Sequence, residues 1–253
     1  MQQLFPQHQP LAEIATLLSR TDRRAPSGRP WVMANMVASA DGAYSVSGVS
    51  RALSSPADRE IFHALRASAD AVLVAAGTAR AEGYRRPTPV AELAKERRQI
   101  TDSDAPRLVV ISRSLMLPAE QPFLVGPGEQ PIVMHPDKVD TAGVPSGVEL
   151  RPMGTDGVDL DAALRSLYVD GVRVVLCEGG PTLLGQLHHL DLIDELFLSV
   201  APILTAGSHL GILGGQSEHL RQQSLHRVWE AEGFLFLNYR RLRAGQMPEG
   251  LTT

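Results

Sequence analysis

The chain is short of cysteine, aromatic residues, basic excess and long apolar runs. Cys177 is the only cysteine in 253 residues, so neither a disulfide framework nor a cysteine-based zinc site can be built within one chain. No apolar run approaches the length of a membrane span, and residues 1–30 lack the apolar centre of a secretory signal. Twenty-four Lys and Arg stand against 28 Asp and Glu, a net charge of -4, which argues against broad nucleic-acid binding. That balance still allows a phosphorylated small molecule held by one or two local arginines. A cytoplasmic enzyme or binding protein is the expected class, and 253 residues suffice for one large domain or two small ones.

What is present is an alternation of short strands and helices. Residues 1–30 read as an N-terminal extension with an apolar helical pattern at Leu11, Ile14, Leu17 and Leu18. Trp31 to Ala40 predicts a strand ending in an Asp41-Gly42 turn. Pro56 opens a helix with Ile61, Phe62 and Leu65 on one face, and Ala71 to Ala76 predicts a strand followed by Gly77-Thr78 and a helix over 79–83. Residues 84–106, rich in arginine and proline, predict an exposed loop or mobile flap. Strands follow at 108–111, 131–134 and 147–150, then a helix bearing Leu160, Leu164 and Leu167. Val172 to Cys177 reads as a buried strand, 194–200 and 233–239 as late strands, and the tail after Arg243 as loose. The pattern is that of an α/β sheet covered on both faces.

Ligands of such sheets bind at the carboxyl ends of the strands. Three elements fall there: Gly77-Thr78, Ser112-Arg113-Ser114, and Glu178-Gly179-Gly180 with Pro181 opening a helix. Two glycines let a ligand approach the backbone, and the N–H groups of a new helix favour a pyrophosphate. On the glycines alone a tight strand-to-helix turn explains the third element equally well. The hydroxyls and guanidinium at 112–114 suit the 2′-phosphate that separates NADP from NAD. Together the three point to a nicotinamide-nucleotide site.

Asn35-Met36-Val37-Ala38-Ser39-Ala40-Asp41-Gly42, Gly77-Thr78 with Glu82, and Glu178-Gly179-Gly180-Pro181-Thr182-Leu183 resemble the reductase domain of bacterial riboflavin biosynthesis proteins, from about Trp31 to Arg243. The resemblance implies a dihydrofolate-reductase-like fold, with a mostly parallel twisted sheet and antiparallel C-terminal strands, in a homodimer. It implies reduction of 5-amino-6-(5-phosphoribosylamino)uracil to its ribitylamino form with NADPH. A zinc deaminase domain precedes the reductase in bifunctional relatives; neither its length nor its cysteine pair is found before Trp31, so a stand-alone reductase is expected over residues 31–243, with 244–253 as a tail. After Glu82 the chain has Gly83-Tyr84-Arg85-Arg86-Pro87 where similar enzymes place an aspartate, a proline and a later arginine. That departure keeps dihydrofolate or another pterin open as substrate. A non-catalytic nucleotide-binding protein is the rival from a different class.

By the resemblance, Asp41 and Glu178 are the catalytic pair, with Asp41 able to donate the proton that ring opening requires. Asn35, Ser50, Arg66 and Glu178 bind substrate, Arg66 and Ser50 through its phosphate, with Arg51, Arg85 and Arg86 as weaker candidates. NADPH contacts are expected at Ala38, Gly77, Thr78, Glu82, Ser112, Arg113, Gly179, Gly180, Pro181, Thr182, Leu183 and Leu184. Turn, cap and surface roles are the competing readings for Asp41, Thr78, Glu82 and Arg66. Cys177 reads as an inert strand residue, His188 and His189 point in different directions on a helix, and no metal is assigned.

Overall fold

The computed structural model describes residues 1–11, 13–215 and 219–242; Arg243 and the tail expected at 244–253 lie outside the described residues. The strands are β1 Gln2–Phe5, β2 Gln9–Pro10, β3 Trp31–Ser39, β4 Ala71–Ala75, β5 Arg107–Ile111, β6 Ile132–His135, β7 Glu149–Pro152, β8 Val174–Cys177, β9 Glu195–Ala201, β10 Gln223–Ala231 and β11 Phe234–Arg241. The helices are α1 Ile14–Ser19, α2 Pro56–Ala67, α3 Ala76–Ala81, α4 Ala94–Arg97, α5 Pro122–Val125, α6 Leu160–Val169 and α7 Pro181–His189. The backbone divides into two compact units. One takes Met1–Ile14, Val32–His63 and the residues from Pro181 onward; the other takes Ala15–Trp31 and Ala64–Gly180.

The second unit carries β8, β4, β5, β6 and β7 side by side, every pair parallel. Its strands are near-continuous apolar runs such as Val72-Leu73-Val74 and Leu108-Val109-Val110, as strands buried on both faces require. Val72, Val74, Leu108, Val110, Phe123, Leu124 and Val133 form its core, and Tyr84 packs against them. The stripe expected on α6 is present: Leu160, Leu164 and Leu167 are buried, and Asp159 caps the helix by accepting the Ala162 N–H at 3.0 Å.

In the first unit the order is β2-β1-β10-β11-β9-β3. Only β3 and β9 run parallel; the rest of its pairs are antiparallel. The adjacent apolar residues of β9 suggest burial on both faces, yet burial alternates. Glu195, Phe197, Ser199 and Ala201 point inward, and Leu196, Leu198 and Val200 stay half-buried. The inward face tolerates Glu195 because Asn238 Nδ2 donates to it at 3.1 Å. Strands β1, β2 and β10 go unseen in the sequence because nearly all their residues are polar or only half-buried, Trp229 being the apolar exception.

Segment 84–106 is less loop-like than its composition suggests. It contains a 3-10 turn at Ala91–Leu93 and the short α4, and Arg97 is only 4 % exposed. Arg97 Nη1 donates to the carbonyls of Arg66, Ala67 and Ala69, and its Nε donates to Ser103 O at 2.7 Å. The Arg66 carbonyl also accepts the Ala69 N–H at 3.2 Å, so the arginine serves chiefly as the cap for the Ala67 and Ala69 carbonyls beyond it.

Candidate active site

Strand β8 hands over to α7 through Glu178, Gly179 and Gly180. The Glu178 N–H donates to Leu73 O at 2.9 Å and the Ala75 N–H to Gly179 O at 2.8 Å, so the junction is tied to β4. Gly179 has φ +84°, which favours glycine, and the Gly179–Gly180 peptide is cis. A Cβ at Gly180 would lie 2.4 Å from Thr78 Oγ1, so no side chain fits there. Thr78 lies in the first turn of α3, which starts at Ala76; the expected glycine turn before the helix is therefore the helix's own first turn. A Cβ on Gly77 would meet nothing within 4 Å, so a ligand could come close to that backbone. Leu183 and Leu184 on α7 are core residues, and the Leu184 N–H belongs to the first helical turn, which leaves the Leu183 backbone N–H as the part able to face a ligand. A Cβ at Gly185 would lie 1.6 Å from Gly214 O, and the Gly214 N–H donates to Pro181 O at 2.9 Å.

Glu178 is 7 % exposed and its carboxylate is held by two partners. Arg66 donates from Nε to Oε1 and from Nη2 to Oε2, both at 2.7 Å, the bidentate geometry that suits a guanidinium and a carboxylate. The Tyr84 hydroxyl donates to Oε2 at 2.8 Å, and the guanidinium lies 5.6 Å from the Tyr84 ring centroid. Burial, then the adjacent Glu178 charge, pushes the Tyr84 phenol well up, so it stays a proton donor. Burial by itself would lower the Arg66 guanidinium, but Glu178 more than offsets it and the net shift is upward. Sequence reasoning singled out Arg66 and Glu178 separately. It missed Tyr84, although the signal was there in the departure after Glu82.

The other arginines divide. Arg86 gives its guanidinium to the carbonyls of Phe123, Leu124 and Gly147 and so braces the backbone. Arg51 and Arg85 are exposed, and Ser50 sits half-buried at the start of the short 3-10 turn Arg51–Leu53.

In the first unit Asp41 follows β3 in a tight turn, with Gly42 at φ +94°. Ser39 Oγ donates to Asp41 Oδ1 at 2.5 Å and accepts the Ala43 N–H at 2.9 Å. The Thr205 N–H lies 3.1 Å and the Ala206 N–H 2.8 Å from Oδ2, and the Thr205 hydroxyl reaches both oxygens. His209 Nε2 stands 3.9 Å from Oδ2. The Ser39 hydroxyl, and after it the Ala206 N–H, holds the Asp41 carboxyl far below the usual carboxylate range. The loop that supplies these donors has no recognisable pattern in the sequence. On β3, Ala38 is buried, and Asn35 Oδ1 is buried without a hydrogen-bond partner.

Ser112 ends β5. Its hydroxyl accepts the Leu115 N–H at 3.1 Å, so it shapes the turn on which Arg113 and Ser114 are exposed. Glu82 closes α3, its N–H donating to Thr78 O at 2.9 Å. The Cys177 thiol is pushed up to about 12 by burial, which keeps it inert.

Residues 30–231 match the model of the RibD C-terminal domain. The chain belongs to this family. It is 31 % identical over 185 residues to the 2,5-diamino-6-ribosylamino-4(3H)-pyrimidinone 5′-phosphate reductase of Archaeoglobus fulgidus, covering 71 % of this chain and 83 % of that one. A protein of the same name from Methanothermobacter thermautotrophicus is 28 % identical over 186 residues, covering 71 % and 81 %. Among solved structures, a pyrimidine reductase-like protein from Corynebacterium diphtheriae superposes with a TM-score of 0.77 at 24 % identity, over 85 % of this chain and 92 % of its own. The α/β architecture is thus that of RibD-type reductases, the dihydrofolate-reductase-like fold. In this RibD C-terminal domain, Glu178 and the Gly179–Gly180 junction form one buried acceptor next to a backbone cradle that only glycine permits.

Proposed function

We propose that the chain is an oxidoreductase of riboflavin biosynthesis that reduces a 5-amino-6-(5-phosphoribosylamino)pyrimidine to its ribitylamino form with NADPH. The observation that carries this reading is the buried, doubly held Glu178 carboxylate immediately before the glycine cradle and α7. An ionised carboxylate is an acceptor only, suited to the N–H groups of an aminopyrimidine. A glycine-lined helix start suits a dinucleotide pyrophosphate. The names of the relatives add the substrate class. They denote the 2,5-diaminopyrimidinone, and the uracil expected from the sequence differs from it only at ring position 2.

The nicotinamide supplies the hydride. The chain's part is to bind and orient. NADPH is assigned to the backbone at Gly77, Thr78 and Gly179–Leu184, with Ala38 and Glu82 as further assigned contacts and Arg113 for the 2′-phosphate. Substrate is assigned to Asn35, Ser50, Arg66 and Glu178, with Asp41 assigned to the ribose end. Residues 31–243 make the reductase domain, in a cytoplasmic homodimer. The dimer is supported by an apolar strip of the first unit: Leu196, Leu198 and Val200 of β9 pair with Tyr239, Leu237 and Leu235 of β11 on one half-exposed face.

The test is NADPH oxidation with the purified protein and each substrate in turn, with products identified by mass spectrometry. Turnover of either ribosylaminopyrimidine is the expected result. Oxidation with dihydrofolate alone would move the assignment to the pterin reaction, and no oxidation with any of them would remove the enzymatic reading.

A further inference from the structure

Opening the ribose during reduction has a fixed balance. Hydride adds to C1′, the C1′–O4′ bond breaks with its electron pair going to O4′, and O4′ takes up one proton. A positioned side chain that holds that proton at neutral pH would speed the step beyond what water can do. Asp41 fits the resemblance but not the geometry. Both of its oxygens accept hydrogen bonds, from the Ser39 and Thr205 hydroxyls and from the Thr205 and Ala206 N–H groups. A carboxylate so surrounded is an acceptor that stays ionised, and protonating it would break contacts that hold the loop.

We propose that His209 is the proton donor of the reduction and that Asp41 is its positioning residue. This rests on the reductase reading above. His209 Nε2 lies 3.9 Å from Asp41 Oδ2, and its side chain is 28 % exposed, so the ring is open to solvent on one side. The ring lies over Gly42, where an added Cβ would stand 3.9 Å from His209 Cε1. The loop carrying it is pinned on both sides: the Ala40 N–H donates to Ile203 O at 2.8 Å and the Tyr44 N–H to Leu210 O at 3.3 Å. Between these two ties, Thr205 and Ala206 grip Asp41, so the carboxylate fixes the loop that presents the imidazole. Asp41 is the charged group facing the ring, and residues 202–210 carry no acidic or basic side chain other than His209 itself. Histidine is the side chain that exchanges a proton near neutral pH. In the step, the imidazolium gives its proton to O4′ as the C1′–O4′ bond breaks, and the neutral ring is recharged from solvent.

The test compares His209→Gln and His209→Ala with the unmodified protein. His209→Gln should lower kcat by about 10²–10⁴ with KM changed by less than about threefold. Added imidazole should restore part of the kcat of His209→Ala, which a merely structural histidine would not allow. NADPH affinity, read by fluorescence without turnover, and thermal midpoint should stay within error, which excludes misfolding. The fall of kcat toward high pH in the unmodified protein should be absent from His209→Gln. Unmodified turnover in His209→Gln, or the same high-pH fall of kcat in that variant, would overturn the proposal while leaving the reductase reading in place. An unmodified protein that reduces neither pyrimidine would overturn the reading and this inference with it.

Discussion

The hydroxyl of Tyr84 donates to Glu178 Oε2 at 2.8 Å and, with the two bonds from Arg66, leaves the carboxylate a single orientation. Tyr84 belongs to the stretch where this chain departs from the pattern it resembles, so the departure is chemically meaningful. The chain gains a donor on its buried acid. A hydrogen bond to a charged group contributes about 1.5–3 kcal/mol. Tyr84→Phe should therefore raise KM for the pyrimidine roughly tenfold or more while leaving NADPH affinity unchanged. Steady-state kinetics and cofactor titration check this, and equal KM values would show that the bond does not orient Glu178.

Gly180 and Thr78 make a second test. A methyl group at 180 would meet Thr78 Oγ1 at 2.4 Å, and overpacking of this kind costs about 1–3 kcal/mol. Gly180→Ala should lower the denaturation midpoint. Most of that loss should disappear in the Thr78→Ala background, because the clashing oxygen is then gone. If the two substitutions simply add, the contact is not the cause.

Arg97 caps the end of α2 from segment 84–106. Arg97→Met keeps much of the apolar stem but leaves buried carbonyls without donors, at a cost of about 1–3 kcal/mol per unsatisfied group. Urea denaturation should show the loss. Limited proteolysis should show faster cleavage within 84–106; an unchanged cleavage rate would mean that other contacts hold the segment.

Asp41 sets an acid limit on the loop that carries His209. Its carboxyl binds a proton far less readily in the folded chain than in an unfolded one, where the ordinary value is about 3.9. The stabilisation is therefore fully present above about pH 4–5 and is lost as pH falls below that. Asp41→Asn should be less stable than the unmodified protein at pH 6, and the gap should shrink by about pH 3. A gap that stays constant over that range would contradict the assignment.

Arg113 tests the cofactor. Loss of a charge-assisted contact to the 2′-phosphate costs about 1.5–3 kcal/mol, roughly ten- to a hundredfold in affinity. Arg113→Ala should narrow the preference for NADPH over NADH by about that factor. Equal binding of the two cofactors by the unmodified protein would remove the basis for this role.

The α/β class, the parallel apolar strands, the α6 stripe and the Glu178-Gly179-Gly180-Pro181 junction are all legible in the residues. Each is a local consequence of periodicity, turn chemistry or a glycine's missing Cβ. Strands β1, β2 and β10 were hidden because half-buried strands need no apolar alternation; their partners define them. Cys177 could be judged inert from its position in an apolar run. Tertiary structure alone decided the rest. It set Arg66 and Tyr84 on a carboxylate 112 and 94 positions away, turned Arg86 into a backbone brace, and brought Thr205 and Ala206 onto Asp41 from 164 and 165 positions away. A hydrogen bond between residues so far apart leaves no periodic trace, because each side chain's type is compatible with many partners. The fold chooses among them by burying a charge only where donors already stand.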